Sequence, residues 1–185
     1  MPRKGQVIAN PATGEYVEFI ETAAETNGAY TRIKVKVIAG GFKPVMHLHS
    51  NTDETFEVIS GELTCIRENV ATVTRVGESI TLAKGISHTH YNDGKEDLVM
   101  YQQFTPSLDI DVFLENLFGL NAEGKVPNGQ PAFLQLMVWG KSYQCKAYVG
   151  SVPVSLQKIL TFILAPVGRL LGYKAAYKRF SGYNA

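Results

Sequence analysis

The sequence contains little that would fix a structure by covalent means. Two cysteines in 185 residues, Cys65 and Cys145, are too few for a disulfide framework, and their wide separation matches no zinc-ligand spacing. Long apolar runs are missing too. The one membrane-like stretch, residues 159–168 between Lys158 and Arg169, falls far short of the ~20 residues a spanning helix needs. The first ten residues carry basic charge with no apolar run behind it, so no export signal is expected and the default location is cytoplasmic. Acid is absent from one end: residues 124–185 hold eight Lys+Arg and no Asp or Glu, whereas residues 1–123 hold ten against 17. Histidine is scarce, with four in the chain, all between positions 47 and 90.

A composition of 45% hydrophobic and 19% charged residues excludes a disordered tail and a coiled coil. The net charge of +1 and the lack of a helix-turn-helix or similar motif argue against nucleic acid as a partner. The charge split, −7 before residue 124 and +8 after it, is read first as two oppositely charged parts that pack together.

Up to about residue 105 the pattern is of short β-type runs, at 16–20, 31–38, 56–59, 62–66, 71–76 and 98–104, separated by turn pairs such as Asn27-Gly28, Ser60-Gly61 and Asp93-Gly94. Many short strands at near-regular spacing predict a sandwich or barrel. After Pro106 the period changes from two to 3.6. Ile110, Phe113, Leu114, Leu117 and Phe118 form one helical stripe, with Ser107, Asp109 and Asp111 as cap and first-turn candidates and Gly119 as a stop. Residues 121–131 read as a loop and 132–148 as a second helix, with Cys145 inside it. A third helix carries Leu156, Ile159, Leu160, Ile163, Leu164, Val167, Leu170 and Leu171 on one face, with Pro166 expected to kink or end it. The expected organisation is therefore a β-barrel over 1–106 and a helical extension over 107–185. That extension would pack on the barrel or across a homodimer. Binding of its basic, aromatic end to a membrane surface is weighed below packing, because the uncharged run is short.

The histidines fall in a pattern suited to metal. His47 and His49 are two apart, so a strand points both to one face. Glu54 follows a four-residue turn and can return beside them, and His88 can complete the set. Three imidazoles and a carboxylate suit one divalent transition metal, any of Fe, Mn, Ni, Co, Cu or Zn, and leave positions open for water or substrate.

These residues resemble the cupin family. Its first motif, G(X)5HXH(X)3–4E(X)6G, is matched throughout by Gly41, His47, His49, Glu54 and Gly61. Its second, G(X)5PXG(X)2H(X)3N, is matched by Gly77, Gly85, His88 and Asn92, with Ala83 in place of the usual proline. The resemblance implies an antiparallel jelly-roll barrel with His47, His49, Glu54 and His88 as metal ligands. It also implies a small-molecule substrate or ligand, with an oxygenase-like enzyme of the quercetin-dioxygenase-like branch favoured over a non-catalytic binding or sensing module. Beyond the ligands, strand alternation turns His90 toward the same cavity as a candidate catalytic residue. Tyr101 and Gln103, alternating on a later strand, are further candidates to line that cavity. Asp53 and Glu57 should face away from Glu54, and both cysteines are expected to be buried and inert.

Overall fold

The computed structural model of the chain describes residues 1–41, 43–126 and 130–181. In chain order it runs β1 (Val7–Asn10), β2 (Glu15–Glu21), β3 (Thr31–Val37), β4 (His47–His49), β5 (Asp53–Ser60), β6 (Glu62–Arg67), β7 (Val70–Arg75), β8 (Ser79–Leu82), β9 (His88–Tyr91) and β10 (Leu98–Thr105). Then follow α1 (Ile110–Ala122), α2 (Phe133–Ser142), β11 (Ala147–Val149), α3 (Val154–Leu170) and α4 (Lys178–Ser181). Each strand run expected from the sequence is present. Four short barrel strands are added to them, of which β4 and β9 carry the histidines.

The strands form two antiparallel sheets, ordered β1-β2-β3-β10-β5-β8 and β11-β4-β9-β6-β7. Period-two alternation drives the packing between them: in β3, Thr31, Ile33, Val35 and Val37 are buried while Arg32, Lys34 and Lys36 point outward. The same parity buries Phe56 and Val58 in β5 and Leu98, Met100 and Phe104 in β10. Side chains from both sheets thus share one apolar core, the arrangement of a jelly-roll barrel. At the turn between β5 and β6, Gly61 has φ +76°, and a Cβ there would lie 2.8 Å from the Asp97 carbonyl oxygen. Only glycine fits both constraints.

α1 docks on the barrel through Ile110 and Phe118. It continues past the expected stop at Gly119, which has a packing role: a Cβ there would meet the Phe180 ring at 2.5 Å. Asp109 takes the N-cap position of α1 without a side-chain capping bond, and Asp111 supplies the acid of its first turn. The Ser107 hydroxyl pairs with Thr31 (2.6 Å), and Asp111 accepts from the Ala23 and Val112 amides. A second apolar cluster, holding Val112, Leu120, Trp139 and Tyr143, joins α1 to α2. The indole and phenol of Trp139 and Tyr143 both donate to the Ala175 carbonyl, at 3.0 and 2.6 Å.

The expected extent of the second helix is corrected. The second helix ends at Ser142 instead of running to 148, and Cys145 sits in the following loop. Both Asp109 carboxylate oxygens capture that loop, accepting from the amides of Gln144 (2.6 Å) and Cys145 (2.8 Å), and the chain then enters β11. Pro166 lies inside α3, which continues to Leu170. Part of the expected loop at 121–131, residues 127–129, lies outside the described residues.

Replacing Asp109 by alanine removes both anchors of the 143–146 loop. Charge-assisted bonds of this kind contribute about 1–3 kcal/mol, so Asp109→Ala should lower the free energy of unfolding by that order in urea titrations, with no change in m-value.

Candidate metal centre

β4 is three residues long, and its register is set on both sides. His47 pairs with His88 of β9, while Val149 and Ala147 of β11 pair with His47 and His49. Glu54 comes from the other sheet, near the start of β5. The donor atoms of His47, His49, Glu54 and His88 lie within 4.8 Å of one another. His49, Glu54 and His88 are buried and His47 is half-buried.

Backbone carbonyls orient two of the rings. His47 Nδ1 donates to the Val45 carbonyl (2.9 Å) and His88 Nδ1 to that of Ile86 (2.8 Å), so each ring presents Nε2 to the cluster. Orientation of this sort fixes the tautomer a metal requires. His88 Nε2 lies 3.0 Å and His49 Nε2 3.8 Å from Glu54 Oε2. The other carboxylate oxygen, Oε1, accepts from Gln102 Nε2 at 2.5 Å. His49 Nδ1 faces Cys145 Sγ at 3.9 Å.

Electrostatics follow from these contacts. Burial pushes the Glu54 carboxyl up, but the His88 hydrogen bond and the surrounding imidazoles outweigh it and hold the group below the usual carboxylate range. Burial lowers His88, but the Glu54 hydrogen bond reverses the sign and leaves it raised. His49 and His90, with burial dominant, are lowered to about 4, and His47 is lowered for the same reason. Neutral imidazoles at His47 and His49 beside an ionised Glu54 are protonation states that metal binding needs, and an ion that displaced the Nε2 proton of His88 would complete them, so the donor set fits a divalent transition ion.

His90 lies in this neighbourhood. Its ring packs on Phe56 (4.5 Å between centroids) and 6.4 Å from His47, and its Nδ1 is shielded from solvent with no hydrogen-bond partner. Tyr101 and Gln103 are not brought to the cluster. β10 buries Leu98, Met100, Gln102 and Phe104, which turns Tyr101 to the outer face, under Arg32 (4.4 Å to the ring centroid). Gln102 takes the place expected of its neighbours. Glu57 faces outward and pairs with Arg32 (2.8 Å), and Asp53 accepts from the Lys84 amide. Asn92 ends its strand, donating to the carbonyls of Val37 and Glu96. Burial pushes the thiols of Cys65 and Cys145 up to about 12. Sequence reasoning missed Gln102 and Cys145. The alternation of buried side chains in β10 could have found the first, whereas no local signal marks the second.

Two antiparallel sheets around one core, with a His₃Glu cluster spanning both, define a jelly-roll barrel able to hold one metal ion. Residues 34–109 match the family model for the Cupin domain. Solved structures similar to it include an RmlC-like cupin from Shewanella frigidimarina (15% identity, 58% of this chain and 89% of that one, TM-score 0.49). Another is a sugar phosphate isomerase of the cupin superfamily from Silicibacter pomeroyi (19%, 56% and 69%, 0.45). A third is the Cupin_2 domain of an XRE family transcriptional regulator from Enterobacter cloacae (14%, 50% and 96%, 0.44). A search of curated proteins finds no match.

Removing the amide that holds Glu54 Oε1 leaves a buried carboxylate oxygen without its donor. Outer contacts of this type are worth about 10–100-fold in metal affinity. Gln102→Leu should weaken metal binding by that factor in a chelator-competition titration, whereas Gln103→Leu and Tyr101→Phe should leave it unchanged.

Proposed function

We propose that this chain is a metal-dependent cupin enzyme, oxygenase-like in its chemistry, which acts on a small organic substrate through a mononuclear centre of His47, His49, Glu54 and His88. One observation carries the reading: these donors, drawn from both sheets, converge within 4.8 Å, with the only half-buried ligand being His47. A bound divalent ion would supply Lewis acidity and, if redox-active, a route for electrons. The chain's own residues do the rest. Glu54 offsets one of the ion's two positive charges, and Gln102 holds that carboxylate in place. Phe104, whose ring centroid is 6.1 Å from that of His49, and Phe56 make the inner wall apolar. His90 offers an imidazole nitrogen that the fold leaves unpartnered, suited to a hydrogen bond with a bound ligand.

A second reading, a non-catalytic module that binds or senses a metal or small ligand, uses the same ligands. Its support is that polar neighbours of the cluster are already engaged: Gln102 on Glu54, and Thr89 on the Pro44 carbonyl (2.7 Å).

Elemental analysis of untagged protein should find close to one transition metal per chain, lost in His47→Ala and in Glu54→Ala. A protein grown in metal-replete medium that carries none would overturn the enzyme and the metal-binding form of the second reading. Oxygen uptake with catechols, flavonols or small diketones, present in the parent and absent in His47→Ala, supports the enzyme. Full metal content with no turnover of any of these substrates supports the binding module.

A further inference from the structure

α3 has two faces that could pack, and the fold uses one of them. Its fully buried residues are the small ones, Ala165 and Gly168, and a Cβ on Gly168 would come within 2.8 Å of Val138 on α2. The opposite side carries Leu156, Ile159, Ile163, Val167 and Leu170 at three- and four-residue intervals, and all face solvent, Ile163 at 57% and Leu170 at 88% exposure. Phe162 and Leu171, each 67% exposed, widen the strip. At 1.5 Å per residue, Leu156 to Leu170 make an apolar strip about 21 Å long. A contiguous exposed surface of this kind marks an interaction site.

The charges beside it select the partner. Residues 124–185 contain no acid. The tail's Lys125 and Arg179 pair with Glu123, but among the described residues Lys141, Lys158, Arg169 and Lys174 form no salt bridge. Lys158 and Arg169 fall on one edge of the strip, beside Phe162, at 3.6 residues per turn. Lys141 reaches the same edge, with Nζ 4.9 Å from the Phe162 ring centroid. A two-fold dimer through this strip would set the patch against itself and bring together two tails without a single acid, which like-charge repulsion opposes. A lipid surface with anionic headgroups accommodates the apolar strip and the cations together.

We propose that α3 docks the protein on an anionic lipid surface. The helix lies in the plane of the membrane, with Leu156, Ile159, Ile163, Val167 and Leu170 in the headgroup–acyl boundary and Lys158 and Arg169 on lipid phosphates. An in-plane pose fits the helix, since no described helix is long and apolar enough to cross a membrane. This inference is independent of the metal centre.

The test is co-sedimentation of the full chain with vesicles of phosphatidylcholine alone and of phosphatidylcholine mixed with phosphatidylglycerol, paired with light scattering. The parent should bind the anionic vesicles, and less strongly as salt rises. Ile163→Asp combined with Leu170→Asp, both exposed, should cut binding about tenfold or more while melting and metal content stay unchanged. Lys158→Glu with Arg169→Glu should weaken binding to anionic vesicles and flatten its salt dependence. Absence of binding by the parent, or equal binding by the aspartate variant, would overturn the proposal. So would a solution dimer that the aspartate pair dissolves, since a second copy would then cover the strip.

Discussion

A carboxylate buried between two β-sheets is the constraint around which this molecule is arranged. Left unpaired, a group in the place of Glu54 would cost several kcal/mol, so its neighbours must be donors or cations. The fold supplies them from both layers: Gln102 from the adjacent strand of its own sheet, His88 and His49 from the facing one. Each requirement fixes something larger. Gln102 at that oxygen sets the parity of β10, and with it Leu98, Met100 and Phe104 as core and Tyr101 as surface. His88 at the other oxygen aligns β9 against β4 through the His47–His88 pair. The packing of the barrel and the pose of its donors are therefore one arrangement.

The tail takes part in that arrangement. The loop held by Asp109 places Cys145 beside His49, and β11 then adds a strand to the edge of β4, which has only three residues of its own. A strand that short has few ladder bonds with which to hold two histidines. Pairing on both edges, with β9 and with β11, makes up for it. The boundary drawn near residue 106 by the change of hydrophobic period is thus a change of secondary structure, while the contacts run across it.

How much of this could be read from the sequence depended on how local each signal was. Spacing located His47, His49, Glu54 and His88, because two residues on a strand and a short turn after it are geometric statements. The long strands were visible for the same reason. β4 and β9 are too short for composition to reveal, and only their histidines suggested them. Tyr101 and Gln103 were given the wrong face because alternation defines two faces without saying which is inside, and a one-residue change of phase exchanges them. The phase was available in Leu98, Met100 and Phe104. Residues 132–148 contain enough apolar side chains to continue a helix, but the two amides captured by Asp109 lie far from it in sequence and end it by tertiary contact. In α3 the large apolar residues suggested the buried face, whereas the tight approach to α2 at Gly168 leaves no room for a side chain and leaves Leu156, Ile159, Ile163, Val167 and Leu170 outside.

That choice places a sizeable apolar surface close to the donor cluster. Gln157, in the first turn of α3, accepts from the Val149 amide (3.0 Å) and donates to the Val149 carbonyl (2.9 Å). Val149 in turn is the register partner of His47 on β4. One strand therefore separates the helix that bears the exposed strip from the half-buried histidine of the cluster. Helix packing that used Leu156, Ile163 and Leu170 inward would have satisfied the hydrophobic effect within the chain, and it would have required α2 and α3 to stand farther apart than Gly168 and Val138 now allow. The small-residue contact keeps the hairpin close, holds β11 on the edge of β4, and leaves the large residues to whatever surface the protein meets.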